Sequence, residues 1–235
     1  MRDAGAQLGA MAWTDLWRAA PRPVLVVPVG SCEQHGPHLP LDTDTRIAMA
    51  VAGALVEAFA DGTAAHPLVL APPLTVSASG EHGAFPGTLS IGTAVFEQVV
   101  VELVRSADWS GGVVLVNGHG GNAEAVNRAT ATLRGEGRRV LAWWPRDPGG
   151  DAHAGATETS VMLAVAPRLV RLDMARPGRV EPIGTYAEEL RRDGVRAVSE
   201  TGVLGDPTGA SAAHGRSLLT RWHIDLVAAV DEWWS

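Results

Sequence analysis

The chain has 235 residues, of which 46% are hydrophobic, and its formal net charge is −7. This length is sufficient for one sizeable core, and we predict a single domain over residues 1–235. The acidic balance argues against a nucleic-acid partner, because nucleic-acid-binding proteins need a basic surface. The sequence has one cysteine, Cys32, which excludes an internal disulfide and is typical of a reducing compartment.

The start of the chain, MRDAGAQLGAMAW, has no apolar core of the kind that signal peptides carry. No apolar run elsewhere in the sequence approaches the length that crosses a bilayer. We therefore expect a soluble, cytoplasmic protein without a membrane partner.

Short apolar runs alternate with longer alanine-rich segments along the chain. The predicted strands are residues 23–30, 66–73, 112–118 and 138–144. The predicted helices are residues 45–60, 93–108, 122–137, 158–167 and 212–234. Because the strands are almost continuously apolar and alternate with helices, we predict an α/β fold with a mostly parallel sheet flanked by helices on both faces. Residues 72–92 are predicted to form a long loop, and residues 176–208 show no clear pattern.

Ionisable and amide side chains follow three of the predicted strands. The candidates are Glu33, His35, His38, Asp42, Asp44, Asn117, His119, Asn122, Trp143, Trp144, Asp151, His153 and Glu158. In open α/β sheets ligands bind beyond the carboxyl ends of the strands, so we expect these side chains to meet at one edge. Mixed histidine and carboxylate ligands suit a borderline divalent ion such as zinc, manganese or iron(II).

Most of these residues also have an ordinary structural explanation. Asp42 or Asp44 could cap the helix that follows, and Glu158 could stabilise the N-terminus of a later helix. Cys32 could be a thiol nucleophile paired with His35, but it adjoins a buried strand and has no evident partner to orient it. The convergence of three polar segments on one sheet edge favours a functional site.

Four segments together resemble the creatininase family of metal-dependent amidohydrolases: GSCEQHGPHLPLDTDT, SGEHGAFPGTLS, VNGHGGN and HAGATETSVML. The most specific part is the pattern E-x-H-G-x-H-L-P-L-x-x-D, which begins at Glu33. The resemblance implies a creatininase-like fold, two divalent metal ions per subunit (Fe²⁺, Zn²⁺ or Mn²⁺) and a homo-oligomer.

The resemblance also implies a ligand set. Asp44 would bridge both ions, Glu33 and His119 would complete one site, and His35 the other. The creatininase branch has a further carboxylate at the position that is Gly121 here, and Glu158 would take its place.

The implied chemistry is attack on an amide by a metal-activated hydroxide, since such ions lower the pKa of bound water toward 7. Glu158 and His153 are the catalytic candidates, and His153 would transfer the proton to the leaving nitrogen. The candidates for substrate binding are Glu81, His82 and Trp144.

The segments LDTDTRIA, GGDAHAGATETSV and AVSETGVLGDPTGAS match one branch of the family more closely, whose members are peptidases. This match implies that the substrate is a modified precursor peptide, cleaved near its C-terminus to release a Val-Tyr-derived dipeptide. Two alternatives stay open. One is a hydrolase of a small cyclic amide such as creatinine or a formamidopyrimidine, and the other is a metal-binding scaffold without catalysis.

Overall fold

A parallel β-sheet forms the centre of the protein, in a computed structural model that describes residues 7–60 and 66–235. Within these residues the sheet has four strands in the order β2-β1-β3-β4. The strands are β1 (Val24–Val29), β2 (Leu68–Leu70), β3 (Gly112–Asn117) and β4 (Val140–Trp143). β1 and β3 pair in register from Val24 with Gly112 to Val29 with Asn117, so both strands end at the same level.

Successive residues of the two central strands pack into hydrophobic layers on opposite faces of the sheet. Val24 and Val26 of β1 pack on one face, and Leu25 and Val27 pack on the other. All six residues of β1 are buried, as are all six of β3. This double burial explains why the strands are apolar throughout instead of alternating with polar residues.

Helices cover both faces of the sheet. They are α1 (Trp13–Trp17), α2 (Thr43–Ala58), α3 (Thr93–Ser106), α4 (Ala123–Gly135), α5 (Ala156–Val165), α6 (Ala187–Asp193), α7 (Val195–Val198) and α8 (Ala212–Trp234). Helices α2, α5 and α8 pack on one face, and α3 and α4 pack on the other. The predicted α/β fold is therefore confirmed. No described helix is long and apolar enough to cross a membrane.

The differences from the predicted elements have local causes. β2 is only three residues long, because Pro67, Pro72 and Pro73 at its flanks cannot donate a main-chain hydrogen bond to a neighbouring strand. The predicted loop at 72–92 contains one short 3₁₀ turn, Gly80–His82. The segment 176–208, which had no clear pattern, contains the short helices α6 and α7.

Candidate metal centre

The first turn of α2 brings Asp44 against the carboxyl ends of β1 and β3. Gly30 and Gly118 follow these strands and allow the close approach because they have no side chain. A Cβ on Gly118 would lie 2.5 Å from the main-chain oxygen of Asp44, and a Cβ on Gly30 would overlap Thr45. Two glycines therefore place a buried carboxylate over the end of the sheet.

Both oxygens of Asp44 face a histidine. Oδ1 lies 3.0 Å from Nε2 of His35, and Oδ2 lies 3.0 Å from Nδ1 of His119. Ser31 donates its hydroxyl hydrogen to Oδ2 at 2.7 Å. A carboxylate with a different histidine beside each oxygen has the arrangement needed to bridge two cations.

Glu33 is completely buried beside this group. Nε2 of His119 lies 3.1 Å from one of its oxygens and Nε2 of His82 lies 3.3 Å from the other. Neither oxygen accepts a well-aligned hydrogen bond from any described residue. Burial raises the pKa of Glu33 to about 8. Since an unsatisfied buried carboxylate is costly, these oxygens fit a bound cation better than they fit a purely structural role.

Three histidines of the centre share one hydrogen-bonding pattern, in which one ring nitrogen donates to a main-chain carbonyl. The pairs are Nδ1 of His35 with Glu33 at 3.2 Å, Nε2 of His119 with Ala78 at 3.0 Å, and Nε2 of His153 with Gln34 at 2.9 Å. The other nitrogen of each ring faces the carboxylates, and it carries the lone pair whenever the ring is neutral. Metal-binding histidines usually have such an outer partner, which fixes their tautomer.

The charges of the central residues are strongly coupled. Burial by itself would lower the pKa of His35, but Asp44 beside it raises the value to about 10. Burial likewise opposes ionisation of His119, whose pKa is raised to about 9 by Glu33 and Asp44. Burial opposes the charge on Asp44 too, yet the two histidines hold its pKa well below the usual range. The centre thus attracts positive charge, and the donor set fits divalent metal ions.

Glu158 and Glu81 approach the centre from different sides. Glu158, in the first turn of α5, places Oε2 3.8 Å from Nε2 of His35, and burial raises its pKa to about 7. Glu81 places Oε1 3.6 Å from Nε2 of His119. A Cβ on Gly121 would overlap that oxygen. The space next to Gly121 is therefore filled by Glu81, while Glu158 lies beside His35.

His82 and His153 both lie near Oε1 of Glu33 and are uncharged. Nδ1 of His153 is 3.8 Å from Oε1 of Glu33, and its ring centroid is 4.4 Å from that of His35. Burial lowers the pKa of His82 to about 3 and holds that of His153 well below its usual value. Both rings are therefore neutral at physiological pH.

Three of the polar candidates have structural roles outside the centre. Asp42 accepts a hydrogen bond from Arg46 at 2.7 Å on the surface. His38 is buried and pairs with the hydroxyl of Thr159 at 2.9 Å. Asp151 caps α5, because it accepts the main-chain N–H groups of residues 156 and 157.

The amide side chains after β3 hold the surrounding loops together. Asn122 accepts the main-chain N–H of Ala78 at 3.1 Å and donates to the carbonyl of Gly30 at 3.1 Å. Asn117 donates to the carbonyl of His119 at 2.7 Å. These bonds position the Ala78 carbonyl that orients His119.

A cavity of about 220 Å³ opens beside the centre. Its lining includes Glu158 and His119, with the indoles of Trp144 and Trp222 among its walls. Trp143 points elsewhere, is buried, and donates its indole N–H to Asp225 at 2.7 Å. No arginine side chain from the described part of the chain lines this cavity.

The sequence analysis did not identify Ser31 or Gln34 as part of the centre. Ser31 could have been suspected because it precedes the acidic motif directly. Gln34 gave no such signal, because alternation along an extended chain would point it away from Glu33 and His35. Its amide contacts His82 and His153, which come from distant segments of the chain.

Comparison with known proteins gave a match over nearly the whole chain. The creatininase family model, described as creatinine amidohydrolase, matches residues 9–230. A protein from Mycolicibacterium smegmatis (strain ATCC 700084 / mc(2)155), named mycofactocin precursor peptide peptidase, is 51% identical over 213 residues. The match covers 90% of this chain and 85% of that protein.

Solved structures of creatininases have the same fold. A mutant creatininase of the Zn-Zn type has a TM-score of 0.80 and 27% identity, covering 97% of both chains. A structure entitled "Creatininase Mn" has a TM-score of 0.80 and 26% identity, covering 97% of this chain and 98% of that chain. Zinc and manganese are thus the metals named for these two creatininases.

Proposed function

Because this chain belongs to the creatininase family, we propose that it is a metal-dependent peptidase acting on a modified mycofactocin precursor peptide. It hydrolyses an amide bond, as expected for the family. The peptide substrate is supported by the name of the relative that is 51% identical. The released fragment would be the Val-Tyr-derived dipeptide that the sequence resemblance implies.

The observation that carries this proposal is the pair of buried carboxylates, Asp44 and Glu33. Asp44 has a histidine nitrogen 3.0 Å from each of its oxygens, and Glu33 has two oxygens without an aligned donor among the described residues. Asp44 would be the shared ligand of two divalent ions. Glu33 and His119 would complete one site, and His35 and Glu158 the other.

When bound, such ions polarise an amide carbonyl and lower the pKa of a bound water toward neutrality. The residues of the chain supply the remaining functions. Three carboxylates (Glu33, Asp44 and Glu158) offset most of the charge of two divalent ions. Zinc, iron(II) and manganese(II) are all compatible with this set of nitrogen and oxygen donors.

His153 is the proposed proton carrier. Its Nε2 donates to a main-chain carbonyl, so its Nδ1 can take up a proton and return it to the leaving nitrogen. The ring is neutral in the folded protein, so Nδ1 is free to accept a proton. His153 also lies close to Glu158, with ligand atoms of His35, His153 and Glu158 within 4.8 Å of one another.

The substrate would enter through the cavity beside Trp144. Its indole provides an apolar wall for the fragment on the leaving side, and Glu81 lies at the partly exposed edge of the centre. His82 has Nε2 3.3 Å from Glu33 and, unlike His153, does not group with Glu158, which lines the cavity; we therefore assign it to support Glu33 and not to touch the substrate.

A second candidate is hydrolysis of a small cyclic amide such as creatinine. The small cavity favours it, because about 220 Å³ is less than the roughly 300–1,000 Å³ of typical ligand pockets. The family description also names creatinine.

The decisive experiment offers the metal-loaded protein each substrate separately and follows the products by mass spectrometry. We expect the modified precursor peptide to lose its C-terminal fragment and creatinine to stay intact. The matched control is Asp44→Asn, which should cleave neither. Turnover of creatinine without cleavage of the peptide would reverse the assignment.

We also propose a cytoplasmic homo-oligomer. The exposed indoles of Trp13 and Trp17, which are 73% and 82% accessible, support association at a surface away from the centre. Light scattering coupled to size-exclusion chromatography tests this, and a monomer at micromolar concentration would contradict it.

A further inference from the structure

The side-chain amide of Gln34 has only one possible orientation. The main-chain N–H of Gly36 donates to its Oε1 at 2.9 Å, and its Nε2 donates to the main-chain carbonyl of Gly202 at 3.1 Å. A main-chain N–H can only donate and a carbonyl can only accept. These two groups therefore fix which end of the amide is oxygen and which is nitrogen.

This orientation determines the tautomer of His82. The second hydrogen on Nε2 of Gln34 points to Nδ1 of His82 at 2.8 Å, so Nδ1 accepts and the ring proton is on Nε2. Nε2 of His82 lies 3.3 Å from an oxygen of Glu33. His82 thus presents an N–H to Glu33, whereas the Nε2–H of His153 points to a main-chain carbonyl.

The main chain of Gln34 determines the tautomer of His153. Nε2 of His153 is 2.9 Å from the Gln34 carbonyl oxygen, which can only accept. The same nitrogen is 3.1 Å from Nε2 of Gln34. If Nε2 of His153 instead accepted a hydrogen bond from the Gln34 amide, its lone pair would face the carbonyl oxygen at 2.9 Å. The amide has only two hydrogens, so either Gly202 or His82 would then lose its hydrogen-bond donor. The consistent network has His153 protonated on Nε2, with Nδ1 free.

We propose that Gln34 is a positioning residue that sets two histidine tautomers through separate groups. Its carbonyl holds His153 with a free Nδ1 toward Glu33, and its side-chain amide holds His82 with an N–H toward the same carboxylate. Through these two groups, Gln34 gives His153 the tautomer of a proton carrier and gives His82 the tautomer that supports Glu33. This inference deepens the proposed function and rests on it for its catalytic meaning, but the tautomers themselves can be measured without activity.

Gly202 shows why the amide stays in place. This residue has a φ of 81°, which favours glycine, and a Cβ there would overlap the Gln34 amide. The segment after α7 therefore packs directly against the Gln34 amide.

The first test uses the metal-free wild-type protein labelled with ¹⁵N in histidine, with solid-state NMR to separate protonated from bare ring nitrogens. His82→Asn and His153→Asn variants assign the two signals. We expect both rings to be neutral and protonated on Nε2 alone. A proton on Nδ1 of either ring would overturn the proposal.

The second test is Gln34→Leu, which removes the amide and keeps the main-chain carbonyl. We expect His82 to lose its single tautomer while His153 keeps its own. Gln98→Leu, on the exposed side of α3, is the matched control and should change neither ring. If His153 changed as much as His82, or if His82 did not change, the division of roles would be wrong.

Kinetics then connect the tautomers to function. We expect Gln34→Leu to lower kcat by about 10–100-fold, as is usual for loss of an outer partner at a metal centre, with KM little changed. An altered His82 signal with unchanged kcat would overturn the positioning role of Gln34 in catalysis but leave the tautomer assignment in place. Absence of peptidase activity in the wild-type protein would instead count against the proposed function.

Discussion

Carboxylates lie beside cationic groups in two regions of this protein, and the two regions differ in whether the carboxylate oxygens accept hydrogen bonds. On the surface, Glu136 is paired with Arg105 and Arg138, and hydrogen bonds from these arginines lower its pKa to about 2. In the centre, burial raises the pKa of Glu33 to about 8, and neither of its oxygens has an aligned donor among the residues that the structure describes. The surface carboxylate has arginine partners for its oxygens, whereas the oxygens of the buried carboxylate remain available to bind a metal ion.

The difference teaches where function is located. A solvated ion pair contributes little to stability because water already stabilises both charges. A buried carboxylate whose oxygens accept no aligned hydrogen bond destabilises the fold, so its presence requires another explanation, such as a bound cation. Substitutions in the two regions should therefore have opposite consequences.

The largest effect is expected for Asp44→Asn. The amide keeps the shape but removes the charge shared between two histidines, so metal content and kcat/KM should both fall by more than about 100-fold, since even outer partners cost 10–100-fold. Elemental analysis and peptide cleavage measure the two quantities. Asp42→Asn is the control, because this residue is on the surface with Arg46. Equal losses in both variants would refute the assignment of Asp44.

Glu33→Gln should separate stability from function. Burial opposes the ionisation of Glu33, so above about pH 8, where the carboxyl is charged, the amide should raise the free energy of unfolding of the metal-free protein by on the order of 1–3 kcal/mol. Metal affinity should fall at the same time. Urea denaturation in the presence of a chelator gives the first quantity, and calorimetric titration gives the second. A loss of metal-free stability would mean that Glu33 has a structural role.

The pH dependence should distinguish the metal-free from the metal-loaded centre. The folded-state pKa values of His35 and His119, about 10 and 9, exceed the ordinary value of 6.5. Their stabilisation is therefore fully present below pH 6.5 and is lost as the pH rises through 9 to 10. The pKa of Glu33 is raised from 4.5 to about 8, so ionisation of this carboxyl also lowers the stability of the metal-free protein as the pH rises.

Metal binding displaces these protons, so the loaded protein should not share this loss. We expect the difference in Tm between loaded and chelator-treated protein to widen steadily from pH 6.5 to 9. Differential scanning calorimetry at matched ionic strength measures it. A difference that stays constant across this range would show that the bound ions do not replace protons on these ligands.

The smallest effect is expected for Glu136→Gln. Because the ion pairs with Arg105 and Arg138 are on the surface, we expect a change in Tm of at most about 2 °C, and less in high salt. Cleavage activity and metal content should be unchanged. A large loss of stability would mean that this surface network contributes far more than exposed pairs usually do.

The main elements could be predicted because their signals are local. The apolar runs of β1 and β3 need no partner to be recognised, and the helices between them show a clear change of pattern. Helices α6 and α7 could not be predicted in the same way. They are only seven and four residues long, and are set by packing that the sequence does not display.

The centre could be predicted in part for a related reason. Glu33, His35, Asp44 and His119 follow strands or begin a helix, and the sequence resemblance pointed to the same residues. The nearness of Glu81 to Gly121 and the contact of Gln34 with Gly202 depend on loops that are distant along the chain. Such contacts form only when distant loops come together in the folded protein, and they leave no periodic pattern in the sequence.

The cap at the start of α5 has a consequence for how this chain can vary. Asp151 fixes the residue at which the helix begins, and Glu158 is the third residue of that helix. Each residue turns an α-helix by about 100°, so an insertion or deletion of one residue within 156–157 would rotate Glu158 out of line with His35. Length changes should therefore be tolerated before Asp151, in the turn that follows β4, and excluded between the cap and the glutamate.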